Sequence, residues 1–342
     1  VKTVIHWFRR DLRVTDNVAL AEAVKRAGRV VPLFIFEDAL RSGPDVGAAR
    51  LAFLLASVEA LRKNLAELGH PLIIRCGKSE DILPMICREA GAQAVFANKR
   101  YEPYAQRRDE RITSALLAAS YGFELFKDAV VWEEAEILTQ QGKPYTVFTP
   151  YSKAWKARSI PAPRPRLTRT SAKEIPLRSD PLPTSSAELG HPLTQTILPG
   201  GERAAIELLR KFMAGPVYEY GNHRNYPAID GTSNLSAHLR AGTIGIHTIL
   251  AELAKARSSA SPARHPGCDV FLNELIWREF YQQVLHNFPH VTKGAFRPEY
   301  DRLQWSENRE HFAAWCEGRT GYPIVDAAMR CLNATGGMHN RL

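Results

Sequence analysis

The stretch from Phe271 to Tyr281 puts a carboxylate, an indole, a guanidinium and a phenol on one helical stripe. Glu274, Trp277, Arg278 and Tyr281 fall at i, i+3, i+4 and i+7, spacings that share a face. Such a stripe is poor material for a dry core and good material for gripping a nucleobase. The indole can stack, the carboxylate can accept from ring N–H groups, and the arginine can reach a phosphate. A partly exposed helix with an internal salt bridge would use the same residues, and spacing alone does not separate the two.

A second stretch, Tyr220 to Gly242, gathers the hydroxyls of Thr232, Ser233 and Ser236 around Asn234 and Leu235. They sit where a short helix should begin, with Ser233 as its expected N-cap and Gly242 as its end. The unpaired N–H groups of that first turn suit a phosphate, although a capped helix with nothing bound reads the same way. A third stretch, Trp315 to Leu342, has Pro323 at an expected helix start and Gly336-Gly337 at its end. Residue physics goes no further there.

Two kinds of scaffold would position these stretches. Thr3–Phe8, Val30–Phe36, Leu72–Arg75, Ala94–Ala97 and Phe123–Phe126 are strand-length apolar runs. Between them lie helical patterns, among them Asn17–Arg26 with Asp16 as expected N-cap and Arg50–Leu68 ending at Gly69. This alternation predicts an α/β domain, a parallel sheet with helices on both faces, over residues 1–130. A connection, 131–199, is expected from the Pro/Ser/Thr clusters at 161–166 and 181–186. Residues 200–342 read as an all-α domain, with helices at Glu202–Met213, Ile244–Arg257, Val270–His286, Asn308–Cys316 and Ile324–Asn333.

Composition narrows the function classes. The chain has 342 residues, 45% hydrophobic and 24% charged, and 45 Lys plus Arg against 36 Asp plus Glu. The net charge of +9 favours a polyanionic partner, but only weakly by itself. Five widely spaced cysteines without a C-x-x-C argue against a disulfide framework and a zinc site, so no metal is expected. No apolar run could span a membrane, and Arg9, Arg10, Asp11 and Arg13 break the one early apolar run, so a cytoplasmic protein is expected. The first strand is not followed by G-x-G-x-x-G, which removes the usual dinucleotide fingerprint.

Two further motifs frame the three stretches. His6-Trp7-Phe8-Arg9-Arg10-Asp11-Leu12-Arg13 with Asp16-Asn17 opens the chain, and Gly142 to Tyr151 follows the α/β part. In this order, and over the whole length, they resemble the DNA photolyase/cryptochrome family, most nearly its cyclobutane pyrimidine dimer photolyases. The resemblance implies a Rossmann-like photolyase-type N-terminal domain and a helical domain holding non-covalent FAD. It assigns the flavin positions to Tyr220, Thr232, Ser233, Asn234, Leu235, Ser236 and Phe271, where Phe271 replaces a more common tryptophan. It assigns contact with damaged DNA to Arg224, Glu274, Trp277, Arg278, Tyr281, Asn340 and Arg341. Light-driven electron transfer from reduced FAD to a flipped-out dimer is the implied reaction. Glu274 is then the hydrogen-bonding partner of the dimer, Trp277 its stacking wall, Asn340 a third lesion contact, and Trp305 the outer member of the tryptophan electron chain.

The resemblance also leaves choices. Met338-His339-Asn340-Arg341 resembles enzymes for cyclobutane dimers, whereas a second histidine at 340 would resemble those for the (6-4) photoproduct. Gly337 stands where tryptophan is usual. The resemblance leaves the antenna open between a deazaflavin, a folate and none, with Tyr104 and Ala105 standing where the folate-associated Asn-Glu pair would be. The alternatives are a blue-light photoreceptor of the cryptochrome type without repair and a flavin-free DNA-binding module. The expected partner is UV-damaged DNA, with no membrane, and the expected state is a monomer. Both ends read as cut, Val1 having no preceding methionine and Leu342 ending inside a motif, so further flavin and DNA residues are expected beyond it.

Overall fold

The structure, a computed structural model, describes residues 2–38, 40, 46–170 and 175–342; Val1 lies outside these. Five strands, β1 (Thr3–Phe8), β2 (Arg29–Phe36), β3 (Ile73–Cys76), β4 (Ala94–Asn98) and β5 (Gly122–Phe126), form one sheet. Its order is β3-β2-β1-β4-β5 and every pairing is parallel. Helices α1 (Val18–Arg26), α2 (Ala48–Glu67), α3 (Ser79–Ala90) and α4 (Pro103–Ala118) supply the crossovers. All six residues of β1 are buried, because a parallel sheet is covered on both faces. Ile5, Trp7, Leu33 and Val95 face one apolar layer with Ile86 and Leu116. Phe8, Phe34 and Ile74 face the other with Leu20, Leu55 and Leu61.

The cap of α1 differs from expectation. Asn17, not Asp16, is the N-cap, its side chain accepting from Leu20 N at 3.1 Å. Asp16 is drawn off into a left-handed conformation, φ 56°, by partners far along the chain.

The second half is helical: α5 (Phe148–Lys156), α6 (Glu202–Met213), α7 (Pro216–His223), α8 (Ser236–Ala241), α9 (Ile246–Ser259), α10 (His265–Asn287), α11 (Arg309–Glu317) and α12 (Pro323–Thr335). Short 3-10 turns join some of them. Phe212, Tyr220, Ile249, Phe271, Ile276 and Phe280 form its core, and Tyr151 and Trp155 of α5 lie within it. The stretch 148–156, part of the segment expected as a connection, is therefore a packed helix. Pro150 is tolerated because it sits in the first turn, where an N–H has no intrahelical partner.

One loop joins the halves. In an open α/β sheet the crevice beside the first strand, where strand order reverses, commonly receives a ligand. Here the chain's own polar groups fill it. Arg9 bonds Asp109 at 2.6 Å, Asn98 donates to Asp11 at 2.6 Å, and Arg13 bonds Asp128 at 2.7 Å. The loop then reaches across. Arg13 Nη1 donates to Gly242 O at 3.1 Å, and Thr248 donates to Asp16 Oδ2 through N at 2.9 Å and Oγ1 at 3.0 Å. Glu202 accepts from Val14 N and Thr15 N, both at 3.0 Å. On the other side Glu279 of α10, fully buried, accepts from Val131 N, Trp132 N and Trp155 Nε1 at 2.6, 3.2 and 2.7 Å. Burial pushes its carboxyl up, against the pull of these three donors.

Two buried histidines make the fold acid-sensitive. Burial pushes His6 in β1 and His238 in α8 down to about 4, and Arg9 and Arg13 push His6 the same way while Asp11 opposes them. Their folded-state values lie below the unfolded value, so the neutral rings contribute stability above about pH 6.5. That contribution, on the order of 3 kcal/mol for each, is lost as pH falls from 6.5 towards 4. Urea midpoints measured between pH 7.5 and 4.5 should fall steadily; a flat series would contradict this.

Candidate functional site

α10 builds the wall of the site. Its long run from Pro266 keeps Phe271, Leu275, Ile276 and Phe280 buried and turns Glu274, Trp277 and Tyr281 outward. Arg224, just after α7, donates to Glu274 Oε1 at 2.5 Å. Its guanidinium also lies 5.3 Å from the Tyr220 ring centroid. Tyr220 packs edge-on against Phe212 and Phe271, at 5.7 and 5.3 Å. Burial pushes its phenol up; Arg224 and Arg341 act against that and Glu274 with it. The terminal motif is thereby close to this cluster: Arg341 acts electrostatically on Tyr220, and Asn340 and Arg341 are both exposed.

Trp277 sits within an aromatic group. Phe148 lies flat on it, with centroids 3.7 Å apart and planes 4° apart. Tyr281 is roughly parallel at 5.4 Å, and Phe280 meets its edge at 5.5 Å. Tyr281 is 62% exposed, so its ring is within reach of a partner.

Arg278 departs from the expected stripe. Its Nη1 donates to Ala129 O at 2.6 Å, which ties it to the seam rather than to the Glu274–Trp277 surface. Burial lowers its affinity for the proton, and Arg100 acts the same way. The long Arg278 side chain reaches across to satisfy this partly buried main-chain carbonyl. Trp305, 81% exposed, lies between the 3-10 turn Pro298–Arg302 and α11.

The loop 232–236 differs from expectation in its cap. α8 starts at Ser236 behind Leu235 with no side-chain cap, and Ser233 Oγ instead accepts from Leu235 N at 3.5 Å. Asn234 takes a left-handed turn, φ 53°, which moves the helix start three residues past Ser233. Gly242 ends α8 as expected, at φ 69°. Leu239 N to Leu235 O is a first-turn bond of α8, so the N–H groups of Ser236, Ala237 and His238 precede it. With the hydroxyls of Thr232, Ser233 and Ser236 they form a donor set that fits a diphosphate. The nearby carboxylate, Asp230, is engaged by Asn234 at 3.3 Å and Lys211 at 3.6 Å. Tyr220 and Phe271 back this loop from the buried core, their rings edge-on to each other at 5.3 Å.

Sequence reasoning missed Phe148, Gly242's role at the seam and the three donors on Glu279. Phe148, Tyr151 and Trp155 recur at i, i+3 and i+7, a helical signal that could have found the first of these. A cleft of about 1090 Å³ lies elsewhere, between α2 and residues 179–187, and includes none of the site residues above. Among the described residues no group of three His, Cys, Asp or Glu could hold a metal ion, and no helix is long and apolar enough to cross a membrane.

Comparison with known proteins identifies the family of the chain. The DNA photolyase family model matches residues 4–168, and the model for the FAD binding domain of DNA photolyase matches residues 271–342. The chain is 35% identical to the deoxyribodipyrimidine photo-lyase of Synechococcus sp., over 99% of the chain and 72% of that protein. Its fold is similar to a bacterial class III photolyase from Agrobacterium tumefaciens, with TM-score 0.90, 33% identity, and 100% and 70% of the two chains covered. It is also similar to an archaeal photolyase from Sulfolobus tokodaii solved with two FAD molecules, with TM-score 0.79, 27% identity, and 99% and 72% covered.

Proposed function

The chain belongs to the DNA photolyase family, an FAD enzyme of the photo-lyase type, and from that premise we propose that it repairs cyclobutane pyrimidine dimers in DNA with light. The observation that carries this reading is the Arg224–Glu274 pair, 2.5 Å apart, beside the outward-facing Trp277. An extruded dimer has lost its base pairing and stacking, so it needs polar edges and an aromatic wall in their place. Glu274, oriented through Oε1 by Arg224, accepts from base N–H groups, and Trp277 provides the wall. Tyr281, Asn340 and Arg341 contact the bases and phosphates around them. When bound and fully reduced, FAD supplies the photo-excited electron that opens a cyclobutane ring and takes it back afterwards. Loop 232–236 would hold its diphosphate, with Tyr220 and Phe271 beneath. Arg224 also places positive charge where a reduced dimer would develop negative charge, which favours that state. Trp305, exposed at the surface, is the outer end of the electron path. The Sulfolobus tokodaii photolyase with two FAD molecules supports a second, antenna chromophore here as well. Tyr104 and Ala105, standing where a folate-associated Asn-Glu pair would be, weigh against folate in that role.

The Glu274→Ala variant tests the reading. Losing a hydrogen bond to a charged or charging group costs about 1.5–3 kcal/mol, so light-driven dimer loss should slow roughly 10- to 100-fold. Dark binding of the dimer should weaken much less. Equal, small effects on both would remove Glu274 from its role. Flavin photoreduction without dimer loss in the unaltered protein would favour a light sensor instead.

A further inference from the structure

α5 is clamped along α10 at several points. Tyr145 O accepts from Gln283 Nε2 at 2.8 Å, and Asn273 Oδ1 accepts from Ser152 Oγ at 3.4 Å and Lys156 Nζ at 2.7 Å. Trp155 Nε1 donates to Glu279 Oε2 at 2.7 Å. These contacts fix the first residue of α5, Phe148, against Trp277, with 3.7 Å between centroids and 4° between planes. Two such rings left to themselves prefer an offset or edge-on arrangement to flat overlay. The overlay is thus imposed by the clamp. Phe280 closes the edge of both rings, at 5.9 Å from Phe148 and 5.5 Å from Trp277.

We propose that Phe148 is a positioning residue for lesion recognition, holding the Trp277 plane and covering one of its two faces, so that an extruded pyrimidine pair stacks on the part of the indole that Phe148 leaves open, beside the exposed Tyr281 ring at 5.4 Å. This rests on the reading of Trp277 as the wall for the dimer. The indole is ordered before DNA arrives, so binding does not have to order it. Phe148 itself touches no reacting atom.

The test uses the whole chain in the dark, titrated into two labelled oligonucleotides that differ only in one thymine dimer. The wild-type protein should prefer the dimer. Phe148→Leu should lower that preference roughly tenfold, a part of what a base–aromatic stack contributes, and leave undamaged DNA affinity nearly unchanged. Phe148→Tyr, which keeps the ring, should restore the preference. A Leu variant with wild-type preference overturns the proposal, as does one with stronger preference, the mark of a ring that blocks the wall. An equal loss on both oligonucleotides also overturns it, because general loosening of α5 would produce that. A wild-type protein indifferent to the dimer removes the reading of Trp277 first, and this proposal with it.

Discussion

Gly242→Ala should unfold the protein far more readily than Gly91→Ala, although both glycines are left-handed helix ends. At Gly91, φ 61°, an added Cβ would meet nothing within 4 Å. Its cost is the left-handed strain alone, about 1 kcal/mol. At Gly242, φ 69°, the Cβ would lie 1.9 Å from Arg10 O and 2.5 Å from Asp11 Cα. Those are main-chain atoms of a packed loop, so the halves must separate locally. The bonds Leu12 N to Ala241 O and Arg13 Nη1 to Gly242 O would go with them. A loss of about 4 kcal/mol or more is expected, at the far end of single-residue effects. Urea denaturation of the two variants side by side checks it; equal losses would mean that the close approach does not exist in solution. Because Gly242 follows α8 directly, the alanine variant should also weaken flavin retention by shifting loop 232–236.

Trp277→Ala should weaken binding of dimer-containing DNA roughly 10- to 100-fold, the size of one or two lost base–aromatic contacts. Undamaged duplex, held mostly through phosphates, should change little. Trp277→Phe should keep most of the preference, since a π face and the stack with Phe148 both remain. Dark titration with and without the lesion measures it, and a uniform drop on both DNAs would remove Trp277 from its role. A cavity beside Phe148 and Phe280 will also destabilise the alanine variant, so unfolding midpoints should accompany the titration.

Local periodicity made much of this molecule readable. The parallel sheet announced itself through runs such as Val30–Phe36, apolar without alternation because both faces are covered. Glu202–Met213 has the observed bounds of its helix, since a polar first turn and an apolar stripe mark both ends. Glu274, Trp277 and Tyr281 share a surface because helical spacing is a local property. What was not legible depended on distant partners. Arg224 meets Glu274 across 50 residues, and Arg278 turns away to a carbonyl 149 residues earlier. Asp16 and Asn17 are both good caps by type; distant partners of Asp16, Arg164 and Thr248, decide that Asn17 caps the helix. The Pro/Ser/Thr clusters at 161–166 and 181–186 drew residues 148–156 into the expected connection, whereas the aromatic spacing of Phe148, Tyr151 and Trp155 was the stronger local signal.

The seam loop has a consequence for synthesis. Asp16 leaves the ribosome early, yet its partner Thr248 lies 232 residues later. At about 5–20 residues per second, translation imposes a wait of roughly 10 to 50 s between them. During that interval the sheet, complete by Phe126, can already have closed over β1. Asp16, destined for full burial, must meanwhile remain hydrated at the rim of a finished subdomain. The nascent chain thus carries an open polar socket on a folded base until α8 and α9 arrive to close it.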